Sequence, residues 1–528
     1  FLLSIDNLFN ETGATSGQSA VLQTKQALHA ARLLHSGDAT PVRLYAGAGD
    51  ISGLTLFTPK PTQVFAGRDL TDIAFYLQNT DEESVSVVTA GRDIVAYNAN
   101  SASRVQARAT GNMLVVGETT LAGDIQINGP GTLEVLAGRN LDLGTGPNNA
   151  DGTGLGITSV GNARNPYLPF DGASIIVGAG IGASSGLGGS ELEFDNFIEN
   201  IVKGANGTRY LSELAEPAEL DFTSMGDEEQ RRRALAVFFI ALRDAGRDKT
   251  ALGTNYEAGF AAIDALFPGS DWKGDIFLTA REIKTRSGGD ISVFAPGGKV
   301  LVGLDQGAGQ ALDQGILTEH GGSISIFANG SVDLGTSRIF TLRGGDITIW
   351  SSTGDIAAGS SSKTVQSAPP TRVIIDPQSG NVQTDLAGLA TGGGIGVLAT
   401  VAGVPPGNVD LIAPVGVVDA GDAGIRATGN LNIAATRVLN ADNIQVAGVS
   451  TGTPTVQVVA APNIGGLAAA SSAAGSNTAA ADAAAKDAKP EGKPSTETVP
   501  SIIMVEVLGY GGEDPEGEEE EKKKARRE

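Results

Sequence analysis

The side chains that could do chemistry are few and mostly acidic. Carboxylates recur in a Gly-Asp signature, as in Gly274-Asp275-Ile276, Gly289-Asp290-Ile291, Gly345-Asp346-Ile347 and Gly354-Asp355-Ile356. If neighbouring coils of chain stack, Asp275 can face Asp290, or Asp346 can face Asp355. Glycoside cleavage uses two such carboxyls about 5–10 Å apart in a cleft. The competing reading is that each Asp caps its own turn. Asp271, Trp272, Lys273 and Asp275 form the best sugar-binding cluster, because an indole can stack on a sugar ring. The plainer role for Trp272 is to anchor a neighbouring segment. Arg231-Arg232-Arg233 beside acids reads as a solvated helix face that could also meet a partner.

Other chemistries drop out on composition. Cys is absent, so a thiol nucleophile, a disulfide, a zinc finger and an iron–sulfur cluster are excluded. The three histidines, His29, His35 and His320, leave little for a metal centre or a Ser-His-Asp triad, and His320 beside Gly321-Gly322 reads as a turn residue. No cofactor is expected. Calcium suits an acidic, oxygen-rich chain, yet neither a nonapeptide calcium repeat nor an EF-hand loop is present. Asn148, Asn149 and Asp151 in a Gly-rich loop are the nearest approach. Lys+Arg total 37 against 60 Asp+Glu, a net charge of −23, which argues against a nucleic-acid partner. The Gly runs at 186–189 and 392–394 lack the strand–loop–Lys context of a phosphate-binding loop. No run of apolar residues is long enough for a transmembrane span.

What would hold these side chains is a repeat. Gly supplies 73 of 528 residues, about twice the usual share. The Gly-(x)-Asp/Asn-apolar signature occurs at Asp50, Asp69, Asp93, Asp124, Asn140, Asp275, Asp290, Asp346, Asp355 and Asn430. Gly with Asp or Asn supplies turn conformations that bulkier residues resist. After each turn the chain alternates apolar and polar, as in Ile291-Ser292-Val293, the period of a strand with one buried face. From Asp50 the intervals are 19, 24, 31 and 16 residues, too uneven for a propeller or a leucine-rich repeat. The chain is therefore read as mainly β: a right-handed parallel β-helix, preferred over an array of β-sandwiches.

The rhythm breaks in three places. Ser19–His35 has helical spacing within an irregular 1–40 segment. Residues 191–270 carry the apolar faces Phe194/Phe197/Ile198/Ile201/Val202, Leu235/Phe238/Phe239/Leu242 and Tyr256/Phe260/Ile263/Phe267. They are read as an inserted α-helical subdomain between β-helix parts at 41–190 and 271–464. Residues 465–499 are an Ala/Ser/Lys-rich, low-complexity C-terminal linker. A strand follows over 500–512, with Ile502, Val505 and Val507 as interaction candidates, and a charged tail covers 513–528. The strand could pair with an open solenoid edge or with another chain.

Region 342–446 carries a distinctive series: Gly344-Gly345-Asp346-Ile347-Thr348-Ile349-Trp350, Gly393-Gly394-Ile395-Gly396-Val397, Val409-Asp410-Leu411-Ile412-Ala413-Pro414, Val418-Asp419-Ala420-Gly421 and Asn440-Ala441-Asp442-Asn443-Ile444. With Pro500–Gly512 it resembles the C-terminal domain of unknown function in filamentous haemagglutinin-like large exoproteins. The resemblance implies a β-helix, two-partner secretion, and an adhesin-like role at the outer surface of a Gram-negative bacterium or in secreted form; the chain is read as such an adhesin or as a subunit of a surface assembly. Cys avoidance agrees with export. The Asn-Pro-Asn-Gly motif of the family's secretion domain is missing, so the chain reads as the C-terminal product of a longer precursor. Expected partners are other surface proteins, other fragments of that precursor, glycans or a neighbouring cell. A polysaccharide-active lyase or hydrolase is the alternative, against which the 5% aromatic content weighs.

Overall fold

The computed structural model describes residues 32–453, apart from 39, 99, 102–103, 107–108, 110–122, 145–155, 183–191, 215–221, 252, 270, 304–313, 361–371, 376–381, 386–391 and 401–402. The chain divides into two compact units, Phe1–Pro462 and Asn463–Glu528, and every described residue belongs to the first. The linker, the C-terminal strand with Ile502, Val505 and Val507, the charged tail, the Asn148–Asp151 loop and most of the Ser19–His35 segment lie outside the described residues. Of that last segment, Leu34 and His35 lie in a turn that runs on to Gly37 rather than in a helix.

Among the described residues, twenty-seven strands form one parallel sheet wound into a three-sided solenoid. The strands at Val42–Ala46, Thr62–Ala66, Val85–Ala90, Thr132–Ala137 and Ser174–Ala179 begin the first face. Ile51–Phe57 begins the second. The third opens at the end of Ile51–Phe57, where Leu56 pairs with Phe75, which pairs in turn with Ile125. Period-two strands send alternate side chains inward, and the parallel register stacks them into columns. One column runs Val135, Val177, Val293, Ile326, Ile349, Leu411. Another runs Ile157, Ile283, Ile316, Ile339, Ile395, Ile425. These aliphatic columns are fully buried and make the core. Burying such a side chain stabilises by roughly 1.5–3 kcal/mol relative to leaving it exposed.

The Gly-Asp signature has a structural cause. Each corner Asp or Asn accepts the backbone N–H of its counterpart one coil on. Before the second face, Asp50 takes Asp69 N–H at 3.1 Å, Asp69 takes Asp93, Asp93 takes Asn140, and Asn140 takes Asp275 at 3.0 Å. Before the first face, Asp290 takes Ser323 at 2.7 Å, Asp346 takes Asn408, and Asn408 takes Asn430. The glycines follow from close approach: a Cβ on Gly345 would fall on the Gly322 carbonyl, and one on Gly407 on that of Gly345. Uneven intervals arise because the signature marks more than one corner of each coil.

Helices interrupt the coils between Ala179 and Ile276. They are α1 (Phe194–Phe197), continued by a π-turn over Ile198–Val202, then α2 (Gly207–Leu214), α3 (Asp227–Arg247) and α4 (Glu257–Leu266). Acids at Asp227 and Glu229 begin α3, where the helix dipole favours negative charge. Among the described residues no helix is long and apolar enough to cross a membrane.

Candidate functional site

The helical insert sits on the outside of the first face. Strands there break alternation: Val293-Phe294, Ile326-Phe327, Ile349-Trp350 and Leu411-Ile412 each pair an inward aliphatic residue with an outward apolar one. Register stacks the outward set into a second column, Gly178, Phe294, Phe327, Trp350, Ile412, Ala434. Left bare, this stripe would be a large apolar patch on an acidic rod. Helices α3 and α4 cover it. Phe238 lies 5.4 Å from Phe327 and 6.0 Å from Phe294, with Phe267 at 5.6 Å. Phe260 meets Trp350 edge-on at 5.5 Å. Gly259 lets α4 lie against the indole, since a Cβ there would stand 2.5 Å from Trp350.

The distal end of α3 is tied by charge. Arg247 forks onto Asp410, Nε to Oδ1 at 2.7 Å and Nη2 to Oδ2 at 2.6 Å. Asp410 is buried, and burial pushes its carboxyl above the usual range, with Arg247 and Asn432 pulling the other way. Asn432 also donates to the Gly246 carbonyl at 3.2 Å. The outer face of the insert is polar: Arg243 bonds Glu213 at 2.6 Å, and Arg209 bonds Asp244.

The sequence-derived candidates take these places. Trp272 is buried with its Nε1 on the Pro268 carbonyl at 3.1 Å and its ring 5.3 Å from Phe267. It packs where the insert rejoins the solenoid, and its faces are not open for sugar stacking. Asp271 is exposed beside it. Asp275 belongs to the corner ladder, giving its N–H to Asn140 and accepting Lys299 N–H at 2.9 Å. The carboxylate pairs that glycoside cleavage would need do not stack. Asp275 and Asp355 precede second-face strands, whereas Asp290 and Asp346 precede first-face strands. Arg232 reaches from α3 to the Glu82 carbonyl at 3.1 Å, beside a shallow depression lined by Asp81, Glu82, Glu83, Pro130 and Pro169. The Arg231 guanidinium stands 5.7 Å from the Phe194 ring. His320 sits in a turn, edge-on to Phe170 at 5.4 Å.

One buried polar cluster escaped the sequence. Asp72, in a left-handed conformation, accepts Arg104 Nε at 2.7 Å. The guanidinia of Arg104 and Arg281 both approach the Tyr97 ring, at 4.1 and 5.4 Å. Arg281 Nη1 stands 3.6 Å from Asp124, which also accepts the Tyr76 hydroxyl at 3.3 Å. Its members come from positions 72 to 281, and only Asp124 carries the Gly-Asp signature. Paired charges here hold Tyr97 and Arg104 against the coils. Among the described residues no three His, Asp or Glu side chains gather as a metal site.

Residues 344–455 match the family model described as filamentous haemagglutinin family outer membrane protein. Over that stretch the chain is filamentous haemagglutinin-like. The match covers the last coils and includes Trp350, Asp410, Ile412 and Asn432, the solenoid side of the insert interface. No curated protein and no solved structure gives a match.

Proposed function

We propose that the chain is an adhesin-like part of a secreted or outer-surface exoprotein of a Gram-negative bacterium. The coils act as a rod, and the insert is the part presented for contact. The observation that carries this reading is the family match over 344–455, lying on the coils that hold the insert. A rod stabilised by repeated backbone ladders needs no disulfide, which suits export of an unfolded chain. The charged outer face of α2 and α3 suits contact with a polar surface, protein or glycan. Display requires no catalytic group, and nothing in the corner ladders favours the glycan-cleaving alternative.

Cross-linking of intact producing cells tests the proposal. Links from residues 194–266 to another surface protein, with the chain sensitive to protease added outside, are expected. A chain found only inside the cell, resistant to that protease, overturns it.

A further inference from the structure

The longest helix of the insert runs along the rod, not across it. Helix α3 has 21 residues, so it spans about 31 Å. Stacked first-face strands lead from Val85–Ala90 through Thr132–Ala137, Ser174–Ala179, Ile291–Ala295, Ile324–Ala328, Ile347–Ser351 and Val409–Asp419 to Leu431–Leu439. Seven strand spacings cover about 34 Å. Helix and stack are therefore matched in length.

Contacts follow that whole path. Near the start of α3, Arg232 donates to the Glu82 carbonyl at 3.1 Å, just ahead of Val85–Ala90. Mid-helix, Phe239 lies 5.1 Å and Phe238 6.0 Å from Phe294, with Phe238 5.4 Å from Phe327. At its end, an added Cβ on Gly246 would stand 2.4 Å from Ile412 Cγ1, and the Gly246 carbonyl accepts Asn432 Nδ2–H at 3.2 Å. The same apolar cluster takes in Leu136, Ile176 and Ala434.

That placement changes how a stack of coils can come apart. In a solenoid each coil touches only its neighbours, so stability is a sum of local terms and the end coils can open alone. Helix α3 instead joins Glu82 to Asn432, whose coils lie far apart in the stack. Opening the coils of Ile412 and Asn432 takes away the seat of Gly246 and breaks the Arg247–Asp410 fork. Sequence order adds a direction. Phe294, Phe327, Trp350, Ile412 and Asn432 all follow the insert in the chain, so its seat is complete only when the coils through Asn432 have wound. We infer that α3 is an axial strap that closes last and fastens the coils from Glu82 to Asn432 into one opening unit. The inference rests on packing within the chain and is independent of surface display.

Hydrogen exchange of the full chain, read by mass spectrometry over a urea series below the main transition, tests it. In wild type, Val409–Asp419, Leu431–Leu439 and α3 are expected to lose protection together with Val85–Ala90. Gly246→Leu drives a side chain into Ile412 and should free the last two strands. They should then exchange roughly tenfold faster, the size of a modest overpacking defect, while Val85–Ala90 changes less. If Gly246→Leu does not fold, Phe238→Ala replaces it, and the same split is expected. In refolding from urea, pulse labelling should protect Leu431–Leu439 before tryptophan emission shifts to the blue, since Trp350 and Trp272 both lie in the insert interface. Wild-type last strands that open while α3 stays protected overturn the inference. So does a folded variant whose last strands still open with Val85–Ala90, or an α3 protected before the last coils have wound. Each outcome is read in purified protein and leaves the cell-surface experiment untouched.

Discussion

Arg92 Nε donates to Asp69 Oδ1 at 2.7 Å, across 23 residues of sequence and one coil of structure. The same oxygen accepts Asp93 N–H at 3.1 Å, and Asp93 in turn accepts Arg139 Nε at 2.8 Å. Each carboxylate thus holds both the backbone and the side chain of the next coil. Asp69→Ala removes both acceptors, and a loss of about 1–3 kcal/mol is expected in urea unfolding. Asp69→Asn keeps an oxygen for the N–H and should lose less.

The same pair sets a pH dependence. The Arg92 hydrogen bond holds the Asp69 carboxyl below the usual carboxylate range, against the opposing effect of burial. A depressed carboxyl stabilises above its unfolded pKa, about 3.9, and that stabilisation is lost as pH falls through the folded value. Wild type should therefore exceed Asp69→Asn at neutral pH, and the two should converge in acid. Melting curves from neutral to strongly acidic buffer check this, and parallel curves at constant separation would refute it.

The insert should detach by a change at one end of α3. Arg247→Ala leaves the Asp410 carboxylate buried with Asn432 but without its cation. Stranding a buried charge costs on the order of 3 kcal/mol. Burial already raises the Asp410 carboxyl, and loss of Arg247 raises it further. A raised carboxyl is tolerated below its unfolded pKa and destabilises as pH climbs through the folded value. The Arg247→Ala defect should therefore be largest at neutral pH and shrink in mild acid. Limited proteolysis of the insert at several pH values reads it.

Both tryptophans lie in the insert interface, Trp350 fully buried and Trp272 nearly so. Intrinsic fluorescence therefore reports docking without a label. Gly259→Val places methyl groups where Trp350 stands and should red-shift emission while strand content by circular dichroism is kept. Trp350→Ala should cost about 3–5 kcal/mol, the range for deleting a large buried aromatic. An unshifted spectrum for Gly259→Val would mean the insert is not held there.

Coils were legible because their cause is local and repeated. The corner glycine, the ladder Asp and the alternating strand recur within about ten residues, so Gly289-Asp290-Ile291 and Gly345-Asp346-Ile347 announce themselves. Pairing was not legible: nothing in the letters says that Asp275 and Asp290 mark different corners, because register depends on loop lengths. The insert's helical faces were readable, but their seat was not. A signal existed in Phe294, Phe327 and Trp350, which follow an inward residue directly and break the alternation. Of the cluster of Asp72, Arg104, Asp124 and Arg281 only Asp124 carried a local mark, its Gly-Asp turn, and the four meet only after the coils have stacked.

Glu282 offers a prediction of opposite sign to Asp69. It lies on the third face, 4% exposed, and burial pushes its carboxyl above the usual range. Lys284 Nζ stands 3.6 Å from it but 2.7 Å from the more exposed Glu319, so the cation is shared away from the deeper charge. Glu282→Gln keeps the shape and removes the charge. At neutral pH it should be more stable than wild type by about 1–3 kcal/mol, the cost of burying a polar group without full compensation. A raised carboxyl loses its contribution as pH rises through the folded value, so the advantage of Glu282→Gln should fade as the buffer is acidified and Glu282 takes up its proton. Paired melts of the two proteins across that range decide it: an advantage that grows in acid would mean Lys284, not burial, governs this carboxyl.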